Sequence, residues 1–158
     1  MAFEQKNIGT ERAFLKIKHY CAYAERSHAE VKKKLYGFGL YKTEADEILS
    51  RLIEENYLNE ERYALAFAGG HFRMKSWGKT KIRYELKQRS VSEYCIKKAL
   101  SSIPEDDYRE TLRKLFNAKL ALLAGEQNVF TKKKKLQNYL VGKGYEFELV
   151  REVCNYEL

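Results

Sequence analysis

The sequence predicts an all-α protein built as a tandem array of three repeats, each of three helices. Three observations carry that prediction. One apolar pattern recurs: Val31, Leu35, Ala45, Ile48 and Leu49; then Ile82, Leu86, Ile96, Ala99 and Leu100; then Leu136, Leu140, Val150, Val153 and Cys154. Midway through each copy stands a short break, Gly39–Leu40, Ser90–Val91 or Gly144–Tyr145. Period-two alternation is almost absent, so no sheet is expected. A recurrence at intervals of about fifty residues reads as one supersecondary unit stacked on itself. The expected units are residues 1–57, 58–104 and 105–158.

In the first unit, Phe14, Ile17, Tyr20, Cys21 and Ala24 recur at helical spacing and mark one buried face. Ser27–His28–Ala29–Glu30 has the form of a capping box, in which Ser27 accepts from the N–H three residues on and Glu30 reaches back. The helix that follows carries Val31, Leu35 and Phe38 and stops at Gly37–Phe38–Gly39, where glycine supplies a left-handed residue. Thr43 is expected to cap the third helix, with Ile48, Leu49, Leu52 and Ile53 facing inward.

The second unit opens on Asn59 as a cap, with Glu60 and Glu61 at the positive end of the helix dipole. Tyr63, Ala66, Phe67, Gly70 and Met74 form its expected apolar stripe. Gly69–Gly70 inside that helix costs roughly 1 kcal/mol per glycine against alanine, so either a second backbone packs against it, the preferred reading, or the helix bends there. Ile82 and Leu86 mark the next helix, and Ile96, Ala99, Leu100 and Ile103 the last. Pro104 and the acidic group Glu105, Asp106 and Asp107 open the third unit. Leu112, Leu115, Phe116 and Leu123 continue it, Thr131 is expected to cap the next helix, and the final helix runs from about Glu146.

With 158 residues, 44% of them hydrophobic and 33% charged, the chain has enough apolar material for a core and enough charge for a wet surface. One proline and no Gly/Ser-rich run leave no visible linker. No apolar run approaches the roughly 20 residues of a bilayer span. Residues 1–10 lack the apolar stretch of a secretion signal. Three widely spaced cysteines, Cys21, Cys95 and Cys154, argue against a disulfide framework and for a reducing cytoplasm. Each sits among apolar neighbours and reads as a small buried hydrophobe.

The side chains that build catalytic sites are sparse. His19, His28 and His71 are the only histidines. His19 and Cys21, two apart on a helix, point to different sides and do not read as a ligand pair. There is no phosphate-cradling loop, dinucleotide fingerprint or nucleophile elbow. No enzyme activity, cofactor or metal is therefore expected.

The charge of +8 is uneven. Residues 1–57 hold ten basic and nine acidic side chains, residues 58–104 ten and four, and residues 105–158 ten and nine. Between positions 73 and 89 stand Arg73, Lys75, Lys79, Lys81, Arg83, Lys87 and Arg89 against the single acid Glu85, with Trp77 and Tyr84 interleaved. Lys132, Lys133, Lys134 and Lys135 form a second run, and Lys32, Lys33 and Lys34 a third. All three clusters fall in the early turns of a middle helix, where positive charge opposes the dipole. A local rule broken three times in the same way points to a use. Unoccupied N–H groups with cations beside them would suit phosphate or carboxylate. The expected partner is a polyanion, either nucleic acid or an acidic protein surface. Trp77 either packs in the core or stacks on that partner.

The stretch Asn59–Glu60–Glu61–Arg62–Tyr63–Ala64–Leu65–Ala66–Phe67, followed by Lys75–Ser76–Trp77–Gly78 and by Ile82, Glu85 and Leu86, resembles the core of the RecX family of recombinase regulators. Tyr23 to Leu35 resembles that family's opening motif. The likeness is good over roughly residues 12–104 and weaker beyond. Two departures stand out: the family usually has a glycine where Arg89–Ser90 stands, and bulkier residues are common where this chain has Gly69–Gly70. The resemblance implies an elongated, curved helical array and a cytoplasmic protein without catalysis of its own; a monomer is expected. It implies that the chain binds RecA, lodges in the groove of the RecA filament on single-stranded DNA, and restrains the filament. Arg73 to Arg89 would make the main contact and Lys132 to Lys135 a second. Direct contact with DNA stays open, as do a stand-alone nucleic-acid-binding module and a helical scaffold for another protein.

Overall fold

Helix boundaries follow the capping chemistry. The computed structural model describes residues 6–157, and among the described residues it contains nine helices and no strand. These are α1 (Thr10–Tyr23), α2 (His28–Gly37), α3 (Lys42–Glu54), α4 (Glu60–Lys75), α5 (Lys79–Gln88), α6 (Glu93–Ser101), α7 (Glu105–Leu122), α8 (Val129–Gly142) and α9 (Phe147–Glu157). Met1–Gln5, half of the stretch read for a secretion signal, and the last residue lie outside the described part. We propose repeat boundaries at 57/58 and 104/105, in the turns between α3 and α4 and between α6 and α7.

Ser27 caps α2 as a full box: its Oγ accepts from the Glu30 N–H, and the Glu30 carboxylate accepts from the Ser27 N–H. Asn59 caps α4 by accepting from the Arg62 N–H at 2.9 Å. Two expected caps are corrected. Thr43 lies inside α3, which starts one residue earlier; the Tyr41 N–H is satisfied by the Glu44 carboxylate. Thr131 is the donor and not the cap, because Asn128 accepts from its N–H and starts α8 three residues sooner. Only α8 thus has a side-chain cap, from Asn128, whereas at α3 Glu44 reaches back to the cap residue and no side chain accepts from the first turn.

The apolar faces form two clusters. The first repeat closes around Ala13, Phe14, Ile17, Cys21, Val31, Leu35, Leu40, Ala45, Ile48 and Leu52, with Leu58 from the start of the second repeat set into the same cluster. Ile53, expected inside, is 45% exposed. The second and third repeats share one continuous core, running from Tyr63 and Ala64 through Ile82, Leu86 and Ile96 to Tyr108, Phe116, Leu136, Tyr145 and Cys154.

Helix α4 corrects the expected stripe. Its buried residues are Tyr63, Ala64, Ala68, Gly69 and Phe72, while Ala66 is exposed and Met74 is 85% exposed. The short side chains of Ala64 and Ala68 carry little hydropathy, yet both are fully buried in α4, the helix that packs on α6. No second backbone packs at Gly69–Gly70 either. A methyl on Gly69 would meet the guanidinium of Arg73, folded back over the helix at 2.7 Å, and one on Gly70 would meet nothing. All three cysteines are buried and unpaired, and burial pushes each thiol upward.

Candidate functional site

The turn from α4 to α5 carries the centre of the basic cluster, and the third repeat holds it in place. The Gly78 N–H donates to the Lys143 carbonyl at 2.9 Å and the Thr80 N–H to the Gly144 carbonyl at 2.9 Å. The Lys79 N–H donates to the Tyr108 hydroxyl at 2.9 Å, which itself donates to Glu146. The Tyr145 hydroxyl donates to the Ser76 carbonyl at 2.9 Å, and the Lys143 ammonium to the Lys75 carbonyl at 3.1 Å. These contacts need two residues without side chains. A methyl on Gly78 would lie 2.2 Å from the Gly144 carbonyl carbon, and one on Gly144 would lie 2.3 Å from the Lys81 Cβ.

The expectation that the start of α5 offers unoccupied N–H groups to an anion is therefore corrected. The α8–α9 turn and Tyr108 already use those of Gly78, Lys79 and Thr80. What the turn presents outward is side chains. Trp77 is half-buried against the shared core and stacks on His71, with ring centres 4.4 Å apart. His71 in turn lies 4.0 Å from the Phe67 ring, and its Nδ1 is 2.8 Å from the Phe67 carbonyl. The Lys81 ammonium sits 4.7 Å from the Trp77 ring centre and that of Lys75 5.3 Å. Arg89 covers Phe67 at 4.8 Å. The result is a row of rings edged by cations.

The eleven cations singled out in the sequence divide into two groups. Five meet carboxylates. Arg83 and Lys87 share Glu93, Arg89 pairs with Glu85 at 2.7 Å, Lys79 reaches Glu105 at 4.0 Å, and Lys135 reaches Glu126 at 3.2 Å. Desolvation alone would raise the Glu93 carboxyl, but Arg83 and Lys87 hold it below its usual range. Likewise the Asn128 N–H and the Lys135 ammonium hold Glu126 low. The other six, Arg73, Lys75, Lys81, Lys132, Lys133 and Lys134, form no ion pair among the described residues.

These six do not all share one place. Lys75 and Lys81 both lie over the Trp77 ring. Arg73 lies instead over Gly69, in a cavity of about 630 Å³ that Glu25, Leu65 and Asp107 also line. Gly69 and His71, two apart on a helix, point to different sides. Lys132, Lys133 and Lys134 occupy the first turns of α8 in the third repeat. Two cations that the sequence reading left out also matter. Lys143 braces the turn through Lys75, and the Arg26 guanidinium in the first repeat lies over the Tyr20 ring at 3.8 Å while its Nε–H donates to the Tyr20 carbonyl at 3.0 Å. The signal for Arg26 was available, since it stands 51 positions before Trp77 in the repeat.

Fold and site together define a tandem helical array that offers cations and aromatic rings at the junction of two repeats. Comparison with known proteins makes the class specific. Residues 59–100 match the family model for the second three-helix domain of RecX, and residues 105–154 match that for the third. The regulatory protein RecX of Clostridium perfringens strain 13 is 30% identical over 161 residues, covering 96% of this chain and 75% of that protein. The RecX of Clostridium botulinum strain Eklund 17B is also 30% identical, over 84% of this chain, and the match spans 64% of that protein's length. Among solved structures, the crystal structure of RecX from Lactobacillus salivarius superposes with a TM-score of 0.84, covering 94% of this chain and 96% of that one at 21% identity. The chain belongs to the RecX family of regulatory proteins. No helix among the described residues is long and apolar enough to cross a membrane.

Proposed function

We propose that this chain binds RecA, and the RecA filament on single-stranded DNA, and restrains its recombinase activity. The observation that carries the reading is Lys75 and Lys81 over Trp77, two cations without carboxylate partners held on a braced turn. A filament of protein on DNA is an anionic partner, and charge left uncompensated at a surface attracts it. Lys132, Lys133 and Lys134 give a second contact, and Arg73 a third on the other side of α4. Lys79, Arg83, Lys87, Arg89 and Lys135 contribute less, because each must leave or share a carboxylate. Membership in the RecX family supports the choice of partner.

The test is RecA-dependent ATP hydrolysis on single-stranded DNA with and without this protein. The reading expects substoichiometric protein to lower the hydrolysis rate and shorten the filaments; unchanged rate and length would refute it. A second reading, a helical module that binds nucleic acid by itself, is favoured by the rings interleaved with the cations. It predicts an affinity for bare DNA that falls steeply with salt.

A further inference from the structure

The first repeat carries a counterpart of the Trp77 site, built from different residues. His71 lies 51 positions after Tyr20, and Trp77 lies 51 after Arg26. In the second repeat the Trp77 indole stacks on the His71 ring at 4.4 Å. In the first, the Arg26 guanidinium lies over the Tyr20 ring at 3.8 Å. The flanking pair is also preserved, with its partners exchanged. Arg89 covers Phe67 at 4.8 Å, and 51 positions earlier Lys16 lies 5.7 Å from the ring of Phe38. The first and second repeats thus each set a planar group on a ring at the entry to the middle helix, beside a cation–aromatic pair. At the corresponding distance before Leu136 the third repeat has Gly125 and Thr131, and no such platform.

Charge gathers around the first platform as around the second. Arg26, Lys33 and Lys34 line a cleft of about 690 Å³ together with Tyr20 and Phe38. None of the three cations pairs with a carboxylate among the described residues. The one acid in the cleft, Glu30, is engaged by the Ser27 N–H. An acidic protein surface would need the cations alone. Planar groups layered among cations, repeated in successive units, suit a ligand that alternates negative charge with flat faces.

We propose that Arg26 on Tyr20 and Trp77 on His71 are paired stacking platforms for bases of one single-stranded nucleic acid, with Lys33, Lys34, Lys75 and Lys81 on its phosphates. Arginine planes and aromatic rings both accept unstacked bases. Each such contact strengthens binding about tenfold, with little dependence on sequence. The lysines that lie over the indole move to phosphate as a base takes their place. The proposal rests on the second reading, direct binding of nucleic acid, and needs no recombinase, so its failure leaves the recombinase reading untouched.

Trp77 is the only tryptophan, so its fluorescence reports its own platform in the unaltered chain. With RecA absent, oligo(dT) should quench that emission and bind about tenfold more tightly than an abasic strand of equal length and charge. Arg26→Lys keeps the charge and removes the plane. It should lower oligo(dT) affinity about tenfold while leaving abasic affinity and the salt dependence unchanged. Equal affinities for the two strands, unchanged Trp77 emission, or an Arg26→Lys variant that binds oligo(dT) as before would each overturn the proposal. So would polyglutamate that binds as tightly as oligo(dT).

Discussion

The two junctions between repeats are built differently. Between the second and third, one apolar core runs through, the Gly78 and Gly144 backbones touch, and Tyr108 sits 6.0 Å from Phe72 and 5.0 Å from Tyr145. Between the first and second, the two apolar clusters are separate, and apart from Leu58, which sits in the first cluster, the contacts are polar. Arg62 pairs with Glu25 and donates to the side chain and carbonyl of Asn56 and to the Tyr57 carbonyl. An apolar junction with interlocked backbone behaves as one cooperative unit, whereas a half-exposed ion pair contributes little. The array thus consists of a two-repeat block that holds the Trp77 site and a first repeat attached more loosely.

The strongest way to break this comparison is at the glycines. Gly78→Ala or Gly144→Ala forces backbone apart at a contact with no slack, and Gly144 has φ +101° besides. Either should cost about 3 kcal/mol or more in chemical unfolding of the block and leave the first repeat's own transition unchanged. A loss below about 1 kcal/mol would mean that the block is not interlocked.

Alkali should separate the parts next. Burial, with Glu30 close by, pushes the Tyr63 phenol up to about 12. Burial, and for Tyr108 its bond to Glu146, raises Tyr108 and Tyr145 as well. A phenol raised in the folded state keeps its proton longer there than in the unfolded chain. Its stabilisation is complete below the unfolded value near 10 and is lost as pH rises toward the folded value. Each tyrosine should cost about 1 kcal/mol within one pH unit above 10. The fused block, which holds all three in its core, should melt at a falling temperature while the first repeat holds.

Smaller effects sharpen the polar junction. Arg62→Ala should cost only about 0.5–1 kcal/mol. It should still raise amide exchange at Asn56 and Tyr57, with no change around Gly78. The mid-repeat breaks give the smallest expected change. Gly39 and Gly144 have positive φ, and the second repeat places Ser90 at the same point with φ +60°. Ser90→Gly should stabilise the block by about 0.5–1 kcal/mol, read as a higher melting temperature.

Much of this architecture was legible because helices leave a periodic trace. The recurring apolar positions, the Ser27 box, the Asn59 cap and the need for a left-handed residue at Gly39 are all local, and each is found where the sequence places it. The Ala64–Ala68 face was missed because small residues bury without announcing it. The interlock was invisible for another reason: a methyl on Gly78 is excluded by a backbone 66 positions away at Gly144, which no local rule reports. The basic cluster was plain in composition. Its division into paired and unpaired cations was not, because Glu93 reaches Arg83 and Lys87 only once α6 packs beside α5. The phosphate-ready N–H groups at the start of α5 failed on the same point, since the third repeat fills them.

The account rests on cations without carboxylate partners, presented by a braced turn. The most direct measurement is RecA-dependent ATP hydrolysis on single-stranded DNA with two charge-reversed variants of this chain. Lys75→Glu with Lys81→Glu should lose most of the inhibition, whereas Lys87→Glu with Lys135→Glu should keep most of it. Equal loss in both variants, or retention in the first, would contradict the account.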